Sequence, residues 1–133
     1  MKLITYKKED SNQHQIGVLK NNIVYNLNKY YGDISIIELI QKDNYQNQID
    51  EFILNGDCLK NDLDNITLLS PIPSPNSLRD AYAFRQHVET SRANRGAAMI
   101  PEFDQFPVFY FSNHNTIFGT NENIELMPDH LEK

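Results

Sequence analysis

Residues 66–76 read ITLLSPIPSPN, an apolar run that passes into three prolines at alternate positions, Pro71, Pro73 and Pro75. Proline fixes φ and pushes the residue before it toward extended geometry. The stretch therefore predicts a strand followed by a stiff, extended connector, not a flexible tether. A domain boundary is expected there, with a small α+β domain over 1–70 and a second segment over 71–133.

Upstream, Leu3 and Thr5 alternate with Ile4 and Tyr6. Gln15 to Lys20, then Asn21-Asn22, then Ile23 to Leu27 reads as a hairpin, because paired asparagines tolerate the positive φ of a tight turn. Asp33 is the expected cap of a helix carrying Ile36, Ile37, Leu39 and Ile40, and a second short helix is expected over Asn47 to Leu54, stopped by Gly56. The first segment thus reads as β-rich with one or two short helices, and residues 1–65 as the more independent half of the chain. Cys58 reads as a packing residue, since no activating cation is near it in sequence.

Downstream, residue usage changes. The 133-residue chain holds 16 Asn and 14 Ile, and eight lysines to four arginines, which suggests A/T-rich codons. All four arginines (Arg79, Arg85, Arg92, Arg95) and all five alanines nevertheless fall between residues 79 and 98. Residues 77–98 carry four arginines against Asp80 and Glu89 and are the one net-positive stretch of a chain whose formal charge is -6. Arginine retained against a lysine preference points to a planar fork that grips carboxylates; the alternative is a solvated helix face. Phe84 to about Gly96 is expected to be a helix, Pro101 and Pro107 to bracket a loop, Val108 to Phe111 (VFYF) to be a buried strand, and Ser112 to Asn115 a turn.

Composition excludes several classes. The hydrophobic fraction of 40% suits a folded core, despite a mean hydropathy of -0.55. One cysteine allows no internal disulfide, no apolar run is long enough to span a bilayer, and MKLITYKKED lacks a signal peptide's apolar core, so a cytoplasmic setting is expected. The acidic balance argues against nucleic acid or an anionic membrane as partner and favours a small molecule or a protein. There is no zinc-ligand spacing, no glycine-rich phosphate loop and no Gly-x-Ser-x-Gly turn. His14, His114 and His130 sit in a polar hairpin tip, a turn and a terminal segment.

At about 100° per residue, Phe84, His87, Val88, Ser91 and Arg95 share one helix face, while Arg85 and Arg92 point elsewhere. Imidazole titrates near neutrality, so His87 suits a general base; Arg95 suits a substrate carboxylate. Asp80 offers a carboxylate to a metal or a cap to the following helix, and Tyr82 a phenolic hydrogen bond. A half-buried, hydrogen-bonded His87 with no catalytic role remains the alternative.

The run SLRDAYAFRQHVETSRANRGAAMIPEFDQFPVFYFSNHNTIFG, residues 77–119, resembles the segment that opens the catalytic domain of the fumarylacetoacetate hydrolase family. Family members carry Asp-x-Tyr-x-x-x-x-His, then a proline-bounded loop and Pro-x-x-Tyr; Asp80, Tyr82, His87, Pro107 and Tyr110 stand at those positions. LLSPIPSPNSLRD is similar to the approach to that domain, and the segment from MKLITYK to IIELIQ more loosely resembles the small N-terminal domain of bacterial members.

The resemblance implies a mainly β catalytic domain, of which this chain holds the first helix and strands of an incomplete β-roll. It implies hydrolysis of carbon–carbon bonds in β-diketo acids or acylpyruvates, or related oxaloacetate-type chemistry, with Mg²⁺ or Ca²⁺ in a homodimeric enzyme. His87 would activate water, Tyr82 and Tyr110 would contact substrate, Arg95 would hold its carboxylate, and Asp80 would bind or adjoin the metal. The family's Glu-x-Glu pair and later Asp are not reproduced by Glu122, Glu125, Asp129 or Glu132. The expectation is therefore an N-terminal portion, inactive and metal-free alone, that needs a C-terminal catalytic portion and exposes apolar surface from AMIP and VFYF without it. The competing expectation is a non-catalytic fragment or assembly module that keeps this segment for packing.

Overall fold

The computed structural model describes residues 1–56 and 58–126, so Asp129, His130 and Glu132 lie outside the described residues. It forms two compact units: Met1–Ser74 together with the chain from Ile117, and Pro75–Thr116. Helices and strands are mixed throughout, an α+β arrangement.

The first unit is a five-stranded antiparallel sheet in the order β4-β3-β2-β1-β5. Its strands are β1 (Lys2–Lys8), β2 (Gln15–Lys20), β3 (Ile23–Asn26), β4 (Lys60–Asp62) and β5 (Ile66–Leu68). Asn21 and Asn22 take φ of 52° and 60° at the β2–β3 turn, so the paired asparagines do what the sequence requires of them. Three helices follow β3: α1 (Asn28–Tyr31), α2 (Ile36–Ile40) and α3 (Tyr45–Leu54). Ser35, not Asp33, caps α2. Its hydroxyl accepts from the Glu38 N–H at 3.2 Å while the Glu38 carboxylate accepts from the Ser35 N–H at 2.7 Å, a reciprocal box that Asp33 stands too far upstream to make. The Ser35 donors also hold the Glu38 carboxyl below its ordinary pKa.

Period-two alternation divides the sheet into two faces. Ile16 and Val18 pack with Leu27, Ile36, Leu39, Ile49, Phe52 and Cys58 on the helix side, and the buried Cys58 fits its expected packing role. On the other face Tyr6 and Val24 are fully buried, and Gly17 leaves the space they occupy: a Cβ there would stand 2.9 Å from Val24 Cγ1 and 3.1 Å from Tyr6 Cε1.

Burial raises the Tyr6 phenol pKa above its ordinary value, partly offset by the Asn26 hydrogen bond. The raised value favours the neutral phenol in the fold, so this contribution to stability is intact below the ordinary tyrosine pKa of about 10 and is lost as pH rises through the folded value. Urea melts taken from pH 8 to pH 11 should fall more steeply for the native chain than for Tyr6→Phe; parallel curves would contradict this.

The division after Ser74 lies beyond the boundary read at residue 70, for a local reason. Leu69 N–H donates to Thr5 O at 2.9 Å and Thr5 Oγ1 donates to Pro71 O at 2.7 Å, tying the first proline to β1. Gly119 also lies against this segment, where an added Cβ would come within 2.7 Å of Leu68 O, so the chain from Ile117 groups with the first unit.

The second unit holds β6 (Leu78–Ala81), α4 (Arg85–Ala93), a 3₁₀ turn at Pro101–Asp104 and β7 (Phe109–Ser112). β6 and β7 pair antiparallel, with Asp80 opposite Tyr110 and Arg79 opposite Phe111. The buried strand expected at Val108 to Phe111 is instead an exposed one: Phe109, Tyr110 and Phe111 are 47%, 57% and 67% accessible. Its composition suits a buried layer, but it forms one side of a two-stranded ribbon, which exposes both faces. The apolar exposure expected of VFYF is present. Among the described residues no helix is long and apolar enough to cross a membrane.

Candidate functional site

Helix α4 begins after Phe84, whose extended backbone ends the β6 connection, and it is shorter than the Phe84–Gly96 span read from sequence. Its end is a Schellman motif. Gly96 adopts φ 68°, its N–H donates to Ala93 O at 2.9 Å, and the Ala97 N–H donates to Arg92 O at 2.9 Å. Glycine fills the left-handed position at no steric cost, and the turn before it remains helical enough to keep Arg95 one turn beyond Ser91. Arg95 Nε donates back to Ser91 O at 3.0 Å, which fixes the guanidinium stem.

Tyr82, His87, Val88, Ser91 and Arg95 consequently line one cavity of about 330 Å³ within the second unit. Val88 is buried and forms an apolar wall, while His87 and Tyr82 stay accessible. The helical spacing of His87, Ser91 and Arg95 sets three polar groups along one side, and Tyr82, from the chain leaving β6, adds a phenol. Together they offer a base, a cationic fork and two hydroxyls to one small molecule.

The structure brings together three of the five residues singled out by sequence. Tyr82, His87 and Arg95 share the cavity; Asp80 and Tyr110 pair with each other on the ribbon. Tyr110 Oη donates to Asp80 Oδ2 at 2.5 Å, and this bond, with the negative charge of Asp80, raises the Tyr110 pKa above its ordinary value. Asp80 does not cap α4; it lies within a strand. Asp80 occupies the same face of the ribbon as Tyr110, whereas Arg79, Phe109 and Phe111 occupy the other.

A divalent hard cation takes about six or more oxygen ligands, several from carboxylates. Asp80 already accepts the Tyr110 hydroxyl, and among the described residues no group of three or more His, Cys, Asp or Glu is placed to hold a metal ion. The residues present do not fit Mg²⁺ or Ca²⁺ as a complete site.

Ser91 is the residue that sequence reasoning placed on the correct face without giving it a role. Its position four residues after His87 and four before Arg95 carried the signal. The other arginines are engaged elsewhere. Arg85 pairs with Glu89 at 3.0 Å and with Asp104, and Arg92 Nε donates to Ala98 O. No family model matches the chain, and no curated protein matches it either.

Proposed function

We propose that the chain supplies the water-activating base and the substrate contacts of a hydrolase resembling the fumarylacetoacetate hydrolase family, which cleaves carbon–carbon bonds of β-diketo acids. Acylpyruvates are the favoured substrates, with oxaloacetate-type acids as the related class. The observation that carries this reading is the common cavity of Tyr82, His87 and Arg95. In it Arg95 binds the carboxylate, Tyr82 donates to a carbonyl oxygen, and His87 takes a proton from water as the water oxygen attacks the distal carbonyl. The carbon–carbon bond then breaks. The electron pair leaves on the enolate, which regains a proton and is released as a 2-oxo acid beside the new carboxylic acid. One water is consumed.

A single carboxylate already bonded to a phenol leaves metal binding to acidic groups beyond those described. The proposal accordingly includes an acid-rich catalytic segment following β7, in a homodimer, as the resemblance implies. The test supplies that segment to the full chain and follows 2,4-dioxopentanoate. Equimolar acetate and pyruvate, abolished by EDTA, are expected; absence of both products in the presence of the segment would remove the hydrolase reading. A non-catalytic assembly role is favoured by one observation, the exposed aromatic face of β7. That outcome would appear as stable association with the segment and no cleavage.

A further inference from the structure

We propose that the first unit binds a small aliphatic amine in a cavity between the proline connector and the start of α2, with the ammonium on Asp33 and the alkyl group against isoleucine and proline. The proposal does not draw on the hydrolase reading.

Asp33 leads to this. The capping box of α2 is made by Ser35 and Glu38 and leaves the Asp33 carboxylate with no part in the helix, and among the described residues Asp33 enters no ion pair. It borders a cavity of about 350 Å³ formed by β1, the start of β2, the α1–α2 connection and the chain after β5. Two of the hydroxyls there are spent: Thr5 Oγ1 donates to Pro71 O at 2.7 Å, and Ser35 Oγ donates to Glu38 Oε2 at 2.8 Å. Asp33 and His14 are exposed, whereas Ile16 and Ile36 are buried and Ile34 and Ile72 half-buried. The cavity thus has a polar rim and an aliphatic floor.

Charge selects the ligand class. Among the described residues no lysine or arginine lines the cavity, and Glu38 adds a second carboxylate beside Ser35. Lys42, which acts on Glu38, does not line it. An ammonium brings a positive charge and three donors to this rim, whereas a carboxylate would meet like charge. The volume lies at the small end of ligand cavities and suits a short alkyl chain. The cavity is also preformed. The Leu69 N–H donates to Thr5 O at 2.9 Å, which with the Thr5–Pro71 bond holds the connector on β1, and the prolines restrict its backbone, so little ordering is lost on binding. With the ammonium at the rim, the far end of the alkyl chain is buried. A free amine satisfies this; a lysine side chain, tethered at that far end, does not.

The experiment titrates the ¹⁵N-labelled full chain by NMR at pH 8, where an alkylammonium keeps its charge. The probes are 3-methylbutylamine, its neutral and anionic counterparts 3-methyl-1-butanol and 3-methylbutanoate, the shorter ethylamine, and Nα-acetyl-lysine methylamide. The first should bind and shift the amides of His14–Ile16 and Asp33–Ile37, and each of the others should bind at least about 10-fold more weakly. Asp33→Asn and Ile72→Ala should each weaken 3-methylbutylamine about 3–10-fold, with Asp50→Asn, an exposed acid on α3, unchanged. Circular dichroism confirms that each variant folds, and the probe series on the native chain stands without the variants. Binding of 3-methylbutanoate or the lysine derivative as tight as that of the amine, an Asp33→Asn loss no larger than that of Asp50→Asn, or no amine binding up to about 50 mM would overturn the proposal.

Discussion

His87→Ala is expected to lower the turnover of 2,4-dioxopentanoate by about 10²–10⁴-fold in the chain complemented by its catalytic segment, the range that a positioned general base contributes. The loss should fall on kcat more than on KM, because in the proposed mechanism Arg95, not His87, holds the carboxylate. Stability should change by less than about 0.5 kcal/mol, since His87 is exposed. Steady-state kinetics with a parallel urea melt separates the two effects. A fall in activity matched by a fall in melting midpoint would assign His87 a structural role instead.

The largest effect on stability is expected at Asn26, a buried polar residue at the end of β3. Its Nδ2 donates to Tyr6 Oη at 2.7 Å and to Gln15 Oε1 at 2.9 Å, and its Oδ1 accepts from the Lys29 N–H at 3.2 Å. One amide thus joins β1, β2 and the first turn of α1. Asn26→Ala removes all three bonds and leaves Tyr6 Oη, among the described residues, with the longer bond from Asn61 Nδ2 at 3.3 Å. Because the unsatisfied groups are withdrawn from water, the cost should be about 2–4 kcal/mol. Urea midpoints measure it, and a change below about 0.5 kcal/mol would show that the network carries little of the fold.

Local signals were the legible ones. Asn21 and Asn22 announce a left-handed turn because few residues tolerate it, and Gly96 announces a helix end for the same reason. The His87–Ser91–Arg95 line follows from helical periodicity and survives although α4 stops at Ala93, because the Schellman turn prolongs the helical path. The cap of α2 was misread because Asp33 and Ser35 are both good caps, and only the spacing to Glu38 favours Ser35. β4, with sequence Lys-Asn-Asp, has no apolar pattern; pairing with β3 makes it a strand.

Long-range partnerships left no local trace. Tyr110 meets Asp80 across 30 residues through the β6–β7 register, and neither residue alone signals the bond. The exposure of β7 was hidden for a related reason: VFYF has the composition of a covered strand, whereas accessibility depends on what lies against it. Helical spacing set Arg95 apart from Arg85 and Arg92, but the partners of those two, a carboxylate pair and a carbonyl, left no local signal.

The base role of His87 is tested most directly by chemical rescue. Adding imidazole to the His87→Ala chain, complemented by its catalytic segment, should restore part of the lost 2,4-dioxopentanoate cleavage, in proportion to the free-base concentration, because the truncated side chain leaves room beside Tyr82 and Ser91. Turnover that imidazole leaves unchanged across that range would contradict the account.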